Sequence, residues 1–148
     1  MSETPVDIHI DPSRAQFELF KGLNRELPIE MLNLVRLRGT ALYPDGHGLA
    51  DKGLSGEEAY ANYGRETGPV LQRVGGSILW RGTFETTLIG PEGEAWDAIF
   101  IARYPTAHAF LDMVTDSDYR AAVVHRQASV LTSRLIRCGG AQEGKTFG

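Results

Sequence analysis

The stretch from Glu94 to Tyr104, EAWDAIFIARY, constrains the fold most, because the strand that it predicts is apolar on both sides. Side chains alternate across a strand. One side carries Trp96, Ala98, Phe100, Ala102 and Tyr104, and the other carries Asp97, Ile99, Ile101 and Arg103. An antiparallel sheet that packs helices on one side normally turns a polar side to water. Both sides of this strand therefore need a cover.

Strand and helix patterns follow one another in the order strand, helix, strand, strand, helix, strand. The strands are predicted at Glu30–Arg38, Ser77–Ile89, Glu94–Tyr104 and Leu131–Cys138. The two helical regions begin at Ser55 and Pro105. This order predicts an α+β chain with the ferredoxin-like βαββαβ arrangement, in which an antiparallel sheet packs its helices on one face.

Capping and turn residues mark the ends of these elements. Ser55 and Glu58 have the spacing of a capping box at the start of the first helix. Proline removes an intrahelical hydrogen bond, so we expect that helix to be interrupted or bent just before Pro69. Gly82 predicts a β-bulge in the second strand. Asp116 predicts a new N-cap that divides the second helical region.

Three segments make up the chain. We expect an N-terminal arm at residues 1–29, with a short helix that starts near Asp11–Ser13. The ferredoxin-like domain is predicted at residues 30–138. A disordered, Gly-rich tail is predicted at residues 139–148. Residues 39–54 are rich in Gly, Pro and Asp and form an unusually long connection, a kind of loop that is typically functional or mobile.

The second apolar side of the sheet predicts a partner. A lone domain would expose an apolar patch larger than monomers usually carry. A second copy of the same sheet, related by a two-fold axis, would cover it and give a dimeric α/β barrel. The alternative is that the N-terminal arm folds over this side of the sheet.

Composition and motifs exclude several classes of protein. Nineteen acidic residues against fifteen Lys and Arg give a net charge of −4, which argues against a nucleic-acid partner. The first residues lack the pattern of a secretory signal, and no apolar run approaches the roughly 20 residues that cross a bilayer, so we expect a cytoplasmic protein without a membrane partner. One cysteine and four scattered histidines predict no metal site, and no dinucleotide or phosphate-loop motif indicates a cofactor.

Three segments of the chain carry a family resemblance. They are MLNLVRLR, then SGEEAYANYGRETGPVLQRVGGSILWRG, then the long stretch from EAWDAIFIARYP to LTSRLIR, in which DSDYRAAVVHR is the most specific part. Together they resemble the domain-of-unknown-function family 1330, over about Glu30 to Arg137. The resemblance implies the dimeric α/β-barrel superfamily, whose members include cofactor-free monooxygenases, muconolactone isomerases, haem-degrading enzymes and ligand-sensing domains. It implies no catalytic residue.

Polar residues within the predicted strands are the candidates for chemistry, because a buried charge must pair, reach water or line a cavity. They are Asn33, Arg36, Arg81, Asp97 and Arg103. A structural interpretation pairs Arg81 with Asp97 across the hairpin. A functional interpretation places a cleft between sheet and helices, in which aromatic rings would hold a flat ligand and the polar residues Asn33, Arg36, Arg81 and Asp97 would orient it. Those rings belong to Tyr60, Tyr63, Trp80, Trp96 and Phe100.

Two functions remain open from the sequence. The first is a homodimeric barrel protein that binds a small, partly aromatic molecule and oxidises or isomerises it without a cofactor. Asp97 and His125 are then the candidate catalytic residues, because an unperturbed imidazole can act as acid or base near neutral pH. The alternative is a non-catalytic ligand-binding or interaction protein whose strand polar residues are structural.

Overall fold

A computed structural model describes residues 7–140, 144, 146 and 147 of the chain. Its helices and strands are α1 (Arg14–Gly22), β1 (Ile29–Leu37), α2 (Gly56–Arg73), β2 (Ser77–Gly82), β3 (Ala98–Tyr104), α3 (Ala107–Thr115), α4 (Ser117–Ser129) and β4 (Val130–Gly139). The strands form one antiparallel sheet in the order β2-β3-β1-β4. The predicted ferredoxin-like α+β fold and its N-terminal helix are confirmed. Residues 1–6 of the predicted arm and residues 141–143, 145 and 148 of the predicted tail lie outside the described residues.

The core lies between the sheet and its helices. Ile29 and Met31 of β1 are buried there, together with Ala102 and Tyr104 of β3. Val70 of α2 is buried in the same cluster, and α3 adds Phe110 and Met113. Because side chains alternate along a strand, the even-numbered residues of β1 and the odd-numbered residues of β3 face the other way.

That other side of the sheet, which we call the open face, is apolar as the sequence predicts. Its central residues are Leu32, Leu34, Ile99 and Ile101, and Trp80 of β2 and Ile136 of β4 flank them. Helix α1 of the N-terminal arm does not cover it, although Asp7 and His9 bond to Thr132 and Ser133 of β4. Phe20 of α1 packs against Phe110 at a ring distance of 5.0 Å, on the helix side of the sheet. No helix of the described residues covers the open face, and the contacts of Trp96 and of the arm are with its β4 edge.

The connection between β2 and β3 differs from the prediction. Strand β2 ends at Gly82 rather than Ile89, and β3 begins at Ala98 rather than Glu94. The side-chain hydroxyl of Thr87 donates to the carbonyl of Glu94 at 2.8 Å in the middle of the connection, and Asp97 at its end bonds to β1. Loop contacts thus replace the longer ladder that the sequence predicts.

The predicted bulge lies elsewhere in β2. Ile78 pairs with Ala102 and Trp80 pairs with Ile101, so the extra residue is Leu79 and not Gly82. A bulge sends the residues on its two sides to opposite faces of the sheet. Ile78 therefore faces the helices and Trp80 faces the open side.

Helix α2 carries the predicted capping box at Ser55 and Glu58 but not the predicted interruption. It runs without a break from Gly56 to Arg73, through Pro69. Val70, only 1% exposed, anchors this last turn in the core, and this packing offsets the hydrogen bond that proline cannot make. The predicted break at Asp116 is present: this residue ends α3 and caps α4.

Candidate functional site

A cavity of about 360 Å³ opens between the start of α2 and the end of the β2–β3 pair. We call it the α2 cleft. Its lining residues are Tyr60, Arg81, Gly82, Thr83, Ala98, Ile99 and Phe100. Two aromatic rings and one guanidinium group thus share a concave surface, and no carboxylate or imidazole belongs to the lining.

Strand register and helix spacing bring these residues together. Arg81 lies directly opposite Phe100 in the β2–β3 ladder, so both side chains face the helices. Asn33 lies opposite Phe100 on the other side, and its side-chain amide donates to the carbonyl of Met31 at 3.0 Å. Tyr60 reaches the same region from the first turns of α2. Of the residues predicted from the sequence, Asn33, Tyr60, Arg81 and Phe100 therefore share one region.

A row of tyrosines continues from the α2 cleft along the helices. The rings of Tyr60 and Tyr63 are 5.6 Å apart, and the Tyr63 hydroxyl lies 3.2 Å from that of Tyr119. Burial raises the pKa of Tyr60 far above its usual range, the nearby Tyr63 adds to this, and the positive charges of Arg126 and Arg81 oppose it. At neutral pH the Tyr60 hydroxyl is therefore a hydrogen-bond donor and not a base.

Three predicted ligand-binding residues lie on the other side of the sheet. Trp80 faces the open side because of the bulge at Leu79. Trp96 precedes β3 instead of belonging to it, and its ring lies 5.8 Å from the guanidinium of Arg134. Arg36 pairs with Thr132 on the same side as Leu34. The predicted grouping of these residues with the tyrosines of α2 is therefore wrong.

Asp97 occupies a different cavity, of about 400 Å³, which Leu37, Arg38, Gly39, Ser55 and Glu57 also line. Its carboxylate accepts a hydrogen bond from the backbone N–H of Leu37 at 2.7 Å, and its own N–H donates to Val35. No ion pair joins Asp97 to Arg81 among the described residues. The predicted cross-strand pair is wrong because Asp97 lies beyond the end of the ladder and binds the end of β1.

His125 lies between α2, α4 and the 39–54 loop, away from the lining of the α2 cleft. Its Nδ1 is 2.6 Å from the hydroxyl of Tyr43, and its Nε2 contacts the carboxylate of Glu66. The ring of His47 stacks on Tyr43 at 4.7 Å. This arrangement is a hydrogen-bonded chain from a half-exposed carboxylate to a buried phenol.

The sequence reasoning singled out His125 but missed Tyr43, His47 and Glu66. Tyr43 and His47 lie in a loop whose course no periodicity reveals. Glu66 lies on α2, and its nearness to His125 depends on how α2 and α4 pack. The one available signal was an aromatic residue and a histidine four residues apart in a loop rich in Gly, Pro and Asp.

Two kinds of feature are absent from the described residues. No helix there is long and apolar enough to cross a membrane. No group of three or more His, Cys, Asp or Glu side chains in this part of the chain could hold a metal ion. The cytoplasmic location stays a prediction.

A protein-family model supplies the family. The model described as a domain of unknown function, DUF1330, matches residues 49–137. The chain belongs to this family. The match lies within the region that resembles the family in sequence and includes both α2 and α4. No match was found among curated proteins.

Solved structures include a close relative. The RPA0582 protein of unknown function from Rhodopseudomonas palustris is 51% identical, over 92% of this chain and 99% of that chain, with a TM-score of 0.85. The methylated RPA0582 protein is 53% identical, over 93% of this chain and 98% of that chain, with a TM-score of 0.86. SnoaB, a cofactor-independent oxygenase from Streptomyces nogalater, is 14% identical over 80% of this chain and 98% of that chain, with a TM-score of 0.48. The last likeness is too distant to carry an argument about function.

Proposed function

We propose that this member of the DUF1330 family binds a small, partly aromatic molecule in the α2 cleft. The observation that carries the proposal is the cavity of about 360 Å³ whose lining combines Tyr60 and Phe100 with Arg81. Small-molecule sites are concave, mostly apolar and begin at about 300 Å³, with a few polar groups that fix orientation.

The two rings and the guanidinium have separate parts in this proposal. Phe100 is partly buried against the core, so its ring is held in place and offers a fixed apolar wall. Tyr60 offers a second ring and a protonated hydroxyl. Arg81 is exposed and has no hydrogen bond or ion pair to any described residue, so its guanidinium is available to a ligand.

Binding is better supported than catalysis. Isomerisation by proton transfer needs a base within hydrogen-bond reach of the ligand, and the α2 cleft is lined by neither a carboxylate nor an imidazole. Asp97 and His125, the two catalytic candidates from the sequence, lie in other parts of the molecule. We therefore propose ligand binding as the main function and cofactor-free oxidation or isomerisation as the less supported alternative.

A thermal-shift screen with flat aromatic acids, phenols and quinones tests the binding proposal. A ligand that binds only the folded state raises its stability by about 2.7 kcal/mol at a hundredfold excess over Kd, so at least one compound should raise the Tm. Phe100→Ala should abolish the shift. Asp97→Asn is the matched control, because it alters the other cavity and should keep the shift. A broad screen without any stabilising compound would refute the proposal.

The open face supports a second part of the proposal, that the protein acts as a homodimer. Leu32, Leu34, Ile99 and Ile101 form a continuous apolar surface, and helix α1 of the N-terminal arm lies on the helix side. A two-fold axis would place this self-complementary surface against its own copy. Burial of the two sheets against each other would give the dimeric α/β barrel.

A further inference from the structure

We infer that the molecule bound in the α2 cleft is an aromatic carboxylate, whose two oxygens meet the guanidinium of Arg81 and the hydroxyl of Tyr60 while its ring lies against Phe100. This inference rests on the proposed function and adds the chemical class of the ligand. It follows from the charge of the cleft, from its hydrogen-bonding groups and from the planar, forked shape of the Arg81 guanidinium.

The charge of the α2 cleft is opposite to that of the whole chain. The chain carries a net charge of −4, yet the one charged side chain in the lining is Arg81. A second guanidinium, that of Arg126, also acts on the Tyr60 hydroxyl. Arg126 donates to the carbonyl of Ile10 and to the hydroxyl of Ser133, both of which are neutral. Neither positive charge is therefore neutralised by a carboxylate of the described residues.

Each polar side chain of the α2 cleft offers a hydrogen-bond donor. Arg81 offers its N–H groups. Tyr60 keeps its proton at neutral pH, since the ordinary pKa of tyrosine is about 10 and burial raises it further. The hydroxyls of Tyr60 and Thr83 can both donate and accept, whereas Arg81 can only donate. A ligand that brings acceptors and a negative charge satisfies these groups, whereas a neutral or cationic ligand leaves the guanidinium unpaired.

The geometry of the donors favours a carboxylate over other anions. A guanidinium is a planar fork that binds the two oxygens of a carboxylate in parallel, and charge-assisted bonds of this kind are about twice as strong as neutral ones. Phe100 lies opposite Arg81 in the ladder, so the apolar wall and the fork are neighbours on one surface. A ring with a carboxylate attached matches that spacing.

Calorimetric titration at neutral pH with naphthoate, its neutral isostere naphthamide, and naphthol tests the inference. Naphthoate should bind about tenfold or more tightly than naphthamide, because it alone forms charge-assisted bonds. Arg81→Gln should remove this advantage, and Tyr60→Phe should reduce naphthoate affinity by several-fold. Arg120→Gln is the control: it removes the same charge from an exposed position on α4 and should preserve the advantage.

Each contrary result has its own meaning. If naphthamide binds as tightly as naphthoate, the inference on charge is wrong and the proposed binding function stands. If naphthol, titrated above its own pKa, binds as tightly as naphthoate, the class is a phenolate and the assignment to a carboxylate is overturned. If Arg120→Gln weakens naphthoate binding as much as Arg81→Gln, the anion is held by general electrostatics and not by the cleft. If none of the compounds binds the wild-type protein, the proposed function itself fails.

Discussion

The hydroxyl of Tyr43 lies 2.6 Å from Nδ1 of His125, and this contact joins the 39–54 loop to helix α4. The imidazole uses its other nitrogen to contact Glu66 of α2, so one ring links the loop, α4 and α2. The backbone N–H of Leu42 also donates to the carbonyl of Ala128 at 2.9 Å. The long loop is therefore bound to both helices, and none of its residues lines the α2 cleft.

We expect His125→Gln to lower the free energy of unfolding by about 1–3 kcal/mol, because it removes one hydrogen bond and leaves the Tyr43 hydroxyl without its partner. Urea denaturation at neutral pH measures the change. Tryptic cleavage at Lys52, an exposed residue of the loop, should also become faster as the loop opens.

His108→Gln is the matched control for this variant. His108 also contacts a glutamate, Glu26, but its side chain is 48% exposed, against 12% for His125. Exposed ion pairs contribute little, so this variant should stay within about 0.5 kcal/mol of the wild type. Equal losses in the two variants would show that the contact of His125 with Tyr43 does not stabilise the fold.

Light scattering at micromolar concentration tests the homodimer. The wild-type protein should show twice the mass of one chain, and Ile101→Asp should show the mass of one chain, because a carboxylate at the centre of the open face opposes burial. Leu19→Asp makes the same change on α1, where the side chain is 71% exposed, and should remain a dimer. A wild-type protein that is monomeric at this concentration would contradict the proposal.

The order of strands and helices along the chain and the apolar open face could be predicted because they depend on local patterns that agree with each other. The predicted strand Glu30–Arg38 has the structural counterpart Ile29–Leu37, which differs by one residue at each end. The capping box at Ser55 and the N-cap at Asp116 are equally local and are present. Each of these signals involves residues within four positions of one another.

The candidate site could be predicted only in part, because its composition depends on a single extra residue in β2. The bulge at Leu79 moves Trp80 to the open face, and alternation counted along the sequence cannot detect it. The early end of β2 likewise leaves Trp96 outside the ladder. The partners of His125 were missed for a different reason, since they meet through packing of a loop on two helices.

The N-cap of α4 predicts a dependence of stability on acid pH. The backbone N–H of Asp118 and the guanidinium of Arg73 hold the pKa of the Asp116 carboxyl below its usual range. Because the folded-state pKa is depressed, this group stabilises the fold above the unfolded pKa of about 3.9, and the contribution is lost as the pH falls through the folded value. Asp116→Asn keeps a capping side chain but not the charge, so its Tm should be lower than that of the wild type at neutral pH.

The difference in Tm between Asp116→Asn and the wild type should shrink as the pH is lowered below about 4, because the wild-type carboxyl is then protonated as well. Thermal unfolding followed by circular dichroism across this range measures it. Asp112→Asn, at an exposed position of α3, is the control and should match the wild type throughout. A Tm difference that is independent of pH would mean that Asp116 acts through its shape and not through its charge.

The buried tyrosines predict the opposite dependence at alkaline pH. Burial raises the pKa of Tyr60, Tyr104 and Tyr119 far above the ordinary value of about 10. In the unfolded chain these phenols ionise near that value, so above it the folded state binds more protons. The stability that they contribute is complete below about pH 10 and is lost as the pH rises further.

We therefore expect the free energy of unfolding in urea to fall steeply above about pH 10, and the fall to be smaller in Tyr104→Phe, which removes one of the three groups. The near-ultraviolet absorbance of tyrosinate should reach its full value, that of all five tyrosines, only when the secondary structure is lost. The folded protein can keep Tyr60, Tyr104 and Tyr119 protonated only while their surroundings exclude water. If all five phenols ionise together near pH 10 while the far-ultraviolet circular dichroism remains native, the tyrosine row is accessible to solvent, and Tyr60 would then not be fixed as a donor in the α2 cleft.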